Sequence, residues 1–173
     1  MSASIAYHGI FQKLVQNLEE ITKNYRTVLD LVRKEKELLL QADIDGLFEC
    51  NQSKEILIHK LKHLDTSRER IARELATHVG ADVNQPRLLD IASKLPMESG
   101  DRLRSIHATL DMIMRRLQEL NKENEQYAKS ALQTVGGALT ELRNTLAGKK
   151  TYVKKGTLTQ SPDQSGNLVS REA

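Results

Sequence analysis

The chain has 173 residues, a net charge of +3 and a sequence pI near 9.0. Aromatic residues are only 3% of it, Trp is absent, and three prolines interrupt a composition dominated by Leu, Lys, Arg, Glu and Gln. That mix suits long helices and argues against a sheet-rich fold, which draws on aromatic and β-branched residues. Residues 149–173 hold five basic and two acidic side chains, the whole net charge, so the first 148 residues balance 21 basic against 21 acidic. A neutral, finely mixed body argues against nucleic acid as the main partner, because phosphate binding needs a concentrated basic surface.

Cys50 is the only cysteine, so no intrachain disulfide can form and nothing points to an oxidising compartment. The N-terminus lacks the basic start and apolar core of a signal peptide. The longest uncharged runs, Met1–Gln12 and Ser130–Thr140, are too short and too polar to insert in a bilayer. The expected location is cytoplasmic.

The first predicted helix covers Ile5–Gln41, with a seam of Tyr7, Phe11, Leu14, Leu18, Ile21, Tyr25, Val28, Val32 and Leu39 that Glu35 breaks once. Asp43 is a candidate cap for a new helix, and Gly46 permits a sharp corner. The second helix runs from Ile44 to Val79 through Leu47, Cys50, Leu57, Leu61, Leu64, Ile71 and Leu75, with Lys54 and Arg68 interrupting, and Gly80 is its stop. So short a link folds the two helices back antiparallel. Between Pro86 and Pro96, Arg87–Ala92 suits one short helix whose Leu88, Leu89 and Ile91 cap the end of the hairpin.

The last helix, Ser99–Ala147, is the longest uninterrupted segment. Leu103, Ile106, Leu110, Ile113, Leu117 and Leu120 recur at spacings of three and four, a seam against partner helices. At Asn124 this seam turns polar and continues only as Tyr127, Ala131, Thr134 and Ala138. A second stripe then appears one position round the helix: Leu132, Val135, Leu139, Leu142 and Leu146. The expected fold is all-α: an antiparallel three-helix coiled-coil bundle with a short extra helix, over residues 1–148. Residues 149–173, polar and basic, are expected to be a flexible tail that cannot bury a core.

Few residues invite chemistry. His59 and His63 share a helix face with Glu55, a spacing that can hold a metal, but Lys60 and Lys62 beside them indicate a solvated face. Helical di-metal sites use inward Glu-x-x-His pairs, and the chain has none. Phosphate loops, nucleophile elbows and zinc spacings are absent too. Neither a cofactor, a metal nor an enzymatic activity is expected. Cys50, on the seam, reads as a small buried hydrophobe.

Asn121 and Asn124 have two readings: an exposed polar residue and a seam residue that fixes register, or part of a binding face. Gly136-Gly137 falls within the second stripe and weakens the helix by about 2 kcal/mol relative to alanine. The pair marks either a frayed end or a marginal amphipathic segment that a partner orders by covering Leu132, Val135, Leu139 and Leu142.

The order of features resembles the FlgN family, the cytoplasmic export chaperones of flagellar hook-associated proteins. The matching residues are Asn121-x-x-Asn124, Tyr152 with Gly156 after the last helix, and Lys54-x-x-Leu57-x-x-x-Leu61-x-x-Leu64 with Arg68. The similarity spans roughly Leu18 to Gly156. The family usually ends in Tyr-Gly-x-x-Gly, whereas this chain reads Tyr152-Val153-Lys154-Lys155-Gly156, without the first glycine. The resemblance implies that the last helix holds C-terminal helical segments of the junction proteins, through Asn121, Asn124, Leu132, Val135, Leu139 and Leu142. It also implies that Tyr152 and Gly156 contact the cytoplasmic domain of the export gate protein FlhA. Two rivals stay open: a structural coiled-coil scaffold, such as a homodimer joined through the late stripe, and a binder of anionic surfaces working through the lysine-rich tail.

Overall fold

The structure is a computed structural model that describes residues 2–147, with side chains described for residues 7–146. The described residues form four helices and no strand: α1 (Ser2–Gln41), α2 (Ile44–Val79), α3 (Leu88–Lys94) and α4 (Met97–Ala147). Residues 149–173, expected to form a tail, lie outside the described residues. Two compact units divide the chain, residues 1–128 and 129–173.

Local chemistry sets the helix ends in the first unit. Asp43 caps α2 by accepting a hydrogen bond from the Gly46 amide at 2.9 Å. The left-handed residue of the corner is Ala42, with φ of 53°, rather than the glycine that the sequence offered. At Gly46 a Cβ would lie 2.6 Å from Asp43 Oδ2 and 2.7 Å from Leu38 Cδ2, so the capping side chain and Leu38 would both have to shift. Gly80 ends α2 in the left-handed conformation (φ 70°), its amide donating to the Ala76 carbonyl. α3 stops at Leu95, held extended ahead of Pro96. At Gly100 a Cβ would come within 2.5 Å of the Ala92 carbonyl, so glycine lets the start of α4 pass close to α3.

Bonds between helices give their register. Asn17 donates to the Leu64 carbonyl (3.1 Å), Lys60 pairs with Glu20 (3.0 Å), and Cys50 donates to the Leu31 carbonyl (3.3 Å). Rising numbers on α2 meet falling numbers on α1, so these two helices are antiparallel. Arg102 pairs with Glu19 (2.7 Å) and Glu123 with Lys36 (2.8 Å), so within this unit α4 runs in the direction of α1.

Of the seam predicted on α1, Phe11, Leu14, Leu18, Ile21, Val28 and Val32 are all at most 5% exposed, Tyr7 and Tyr25 are half-buried, and near the end of the helix Leu38 is buried while Leu39 is half-buried. Two apolar clusters result. One joins α1 to the end of α2, to Ile91 and Ala92 of α3, and to Leu103 of α4. The other joins Val28 and Val32 to Leu61, Ile113 and Leu120. Each fully buried side chain of this kind contributes roughly 1.5–3 kcal/mol. The short helix inserts Ile91 and Ala92, with Leu88 partly buried, while Leu89 is 47% exposed and caps nothing.

The second unit contributes the rest of α4, and every described side chain from residue 129 to 146 is exposed.

Candidate functional site

Asn124 is 5% exposed, and its amide donates to the Val32 carbonyl and to Glu35 Oε2, both at 3.0 Å. Its own Oδ1 is buried without a hydrogen-bond partner. Lys54 of α2 donates to the other Glu35 oxygen, Oε1, at 2.5 Å. Three of the polar breaks in the seams, Glu35, Lys54 and Asn124, therefore meet in one network, which gives Asn124 a task in registering α4 against α1, whereas Arg68 pairs with Asp65 instead.

Asn121, one turn earlier, is exposed. It borders a groove of about 620 Å³ that lies over Val28 and Val32, with Ile58 and Leu61 on one wall and Leu117 and Asn121 on the other. A turn further along, the Lys36 ammonium bonds to Glu123 and sits 5.5 Å from the centre of the Tyr127 ring. The hydrogen bond between the two charges raises the Lys36 pKa and lowers that of Glu123.

In the second unit Leu132 is 73% exposed, Val135 58%, Leu139 61%, Leu142 55% and Leu146 71%. At spacings of three and four they form one continuous apolar line on the helix. Nothing lies within 4 Å of a Cβ added at Gly136 or Gly137, so no packing demands these glycines. Thr134, Thr140 and Thr145 each donate to the carbonyl four residues back, and their hydroxyls are thus occupied within the helix. The surface is a bare aliphatic stripe on a helix weakened at its middle.

Tyr152 and Gly156 lie outside the described residues. His59 and His63 are both exposed, and the described residues contain no cluster of three or more His, Cys, Asp or Glu arranged to hold a metal. Cys50 is 3% exposed, and burial pushes its thiol pKa up. Among the described residues no helix is long and apolar enough to cross a membrane. The sequence reading followed the seams and so missed the exposed Leu40, Ile44 and Phe48 at the corner between α1 and α2. Their local signal was present, as three large apolar residues beside a cap and a glycine.

No curated protein and no solved structure matches the chain. The family model described as FlgN protein matches residues 1–160. With nearly the whole chain covered, the resemblance carried by the asparagine pair and the spaced leucines holds, and the chain belongs to the FlgN family of flagellar export chaperones.

Proposed function

We propose that this chaperone works in the cytoplasm, holds the C-terminal helical segments of hook-associated junction proteins, and hands them to the cytoplasmic domain of FlhA. The observation that carries the reading is the exposed line from Leu132 to Leu146. Five aliphatic side chains left in water on one helix face are worth covering, at roughly 1.5–3 kcal/mol for each one fully buried. An amphipathic cargo helix supplies a face of matching period. Leu132, Val135, Leu139 and Leu142 are the anchors, and Asn121 adds a polar contact beside its groove. Asn124 acts from within, by holding α4 in register.

In this reading α1, α2 and the first part of α4 form an antiparallel three-helix coiled coil, and the exposed remainder of α4 presents the cargo segment. Tyr152 and Gly156, in the basic tail of residues 149–173, contact the gate. Titrating the full chain with a peptide of a junction protein's C-terminal helix tests the proposal. Binding with a gain in helicity, lost in Leu139→Asp, supports it. A scaffold role predicts no such binding, and a stable dimer by light scattering that Leu139→Asp dissolves.

A further inference from the structure

The corner between α1 and α2 presents three large apolar side chains to solvent: Leu40 is 63% exposed, Ile44 71% and Phe48 64%. Ile44 and Phe48 stand one turn apart on α2 and share a face, and Leu40 belongs to the last turn of α1. The corner that carries them is firmly built. Asp43 caps α2 through the Gly46 amide, the Asp43 amide donates to the Leu38 carbonyl at 3.0 Å, and a methyl group at Gly46 would displace the Asp43 and Leu38 side chains.

Along the chain the corner itself carries charge of one sign, between Lys36 on one side and Lys54 on the other. Residues 37–53 contain Glu37, Asp43, Asp45 and Glu49 and no Lys or Arg, although the first 148 residues as a whole are balanced. Asp43 serves the cap. Glu37, Asp45 and Glu49 enter none of the ion pairs among the described residues. Asp45 and Glu49 have no Lys or Arg three or four residues away on their helix, unlike Asp65, which pairs with Arg68, and Asp111, which pairs with Arg115.

We propose that the α1–α2 corner is a second docking surface, which takes a basic amphipathic segment of a partner protein. Apolar residues of that segment cover Leu40, Ile44 and Phe48, and its lysines or arginines meet Glu37, Asp45 and Glu49. Complementary charge of this kind steers association and selects the partner. A second copy of the chain would bring the same carboxylates against these, and an anionic bilayer would be repelled by them. The surface lies wholly within residues 1–128 and stands whether or not the leucine stripe of the second unit carries cargo.

The test uses the full chain and a fluorescent synthetic amphipathic peptide of leucine and lysine, with a leucine–glutamate peptide of the same pattern as control. The lysine peptide should bind, more weakly as salt rises, and the glutamate peptide should not. Phe48→Ser should weaken binding by about tenfold or more, as truncating an interface anchor does. Asp45→Asn with Glu49→Gln should remove most of the salt dependence. Ile44 and Phe48 are exposed, so melting temperature should hold; if Phe48→Ser fails to fold, the Asp45 and Glu49 variant decides alone. Equal binding of both peptides, or binding indifferent to these variants, overturns the proposal. So does self-association abolished by Phe48→Ser, or capture by phosphatidylserine vesicles in place of the peptide.

Discussion

Lys54 of α2 and Glu35 of α1 form an ion pair at 2.5 Å with side chains only 17% and 16% exposed, and Asn124 of α4 shares the same carboxylate. Two charges so far out of water gain from each other about what they lose in hydration, so such a pair adds little net stability but fixes which residues face each other. Lys54, Glu35 and the Asn124 amide nitrogen, on three helices, reach one another only in one register, while Asn124 Oδ1 is left without a partner.

The first prediction follows. Lys54→Met leaves Glu35 poorly hydrated beside Asn124 and should destabilise the chain by about 1–3 kcal/mol. Adding Glu35→Met should recover much of that loss, because the uncompensated charge is gone. Urea unfolding of the two single variants and the double variant measures the coupling. Additive losses would show that the pair does not act as a unit.

This network also marks where sequence reading stops. Glu35, Lys54 and Asn124 each stood out as a break in an apolar period, which one helix reveals by itself. Which break meets which depends on the relative register of the helices, and a period carries no register. Helix ends were legible for a local reason: Asp43 and Gly80 act through their immediate neighbours. Ala42 was not legible, because its positive φ is imposed by the closure between α1 and α2 and not by its own preference. The stripe at Leu132–Leu146 was visible as a change of face, but only the accessible areas establish that it is bare.

The second prediction concerns pH. The Glu123 pKa is lowered by its hydrogen bond with Lys36, so the stabilisation is present above the ordinary carboxylate pKa, about 4.3, and is lost as pH falls through the lowered value. The Lys36 pKa is raised by the same bond, so its share is present below about 10.4 and is lost as pH rises through the raised value. Wild type should therefore melt above Glu123→Gln at neutral pH, and the difference should vanish in strong acid. Thermal melts of both proteins across the acid range check it; a gap that persists in acid would assign the effect to packing.

A third prediction uses the two glycines. Neither meets a neighbour, so Gly136→Ala and Gly137→Ala should each stabilise the local helix by about 1 kcal/mol without a clash. In the wild type, amides from Ala131 onward should exchange fast and slow down when a cargo peptide is bound. The double alanine variant should exchange more slowly before any peptide is added. Equal, strong protection in both free proteins would show that this helix needs no partner to be ordered.

The fourth prediction separates the stripe from the core. Leu139→Asp and Leu142→Asp change side chains that are 61% and 55% exposed, so melting temperature should stay within about a degree or two of wild type. Cargo-peptide affinity should fall by about tenfold or more. Leu14→Ala, at a fully buried position of α1, should instead cost about 2–5 kcal/mol of stability. If either aspartate unfolds the protein, the stripe is core and not a binding face.

The last prediction concerns Tyr152, the only aromatic residue after Tyr127. It stands among Lys149, Lys150, Lys154 and Lys155, and a ring flanked by lysines suits an apolar pocket in an acidic surface. In the proposed contact the ring would fill the pocket while the hydroxyl found a hydrogen bond, and such an anchor carries a large share of an interface. The lysines add attraction that weakens with salt. Tyr152→Ala should therefore leave melting temperature and cargo-peptide affinity at their wild-type values. Binding to the cytoplasmic domain of FlhA should fall by about tenfold or more, with a matching drop in cargo secretion. Tyr152→Phe keeps the ring and should retain most of the binding. A lowered melting temperature in Tyr152→Ala would make the ring part of the fold, and undiminished secretion would remove it from the delivery step.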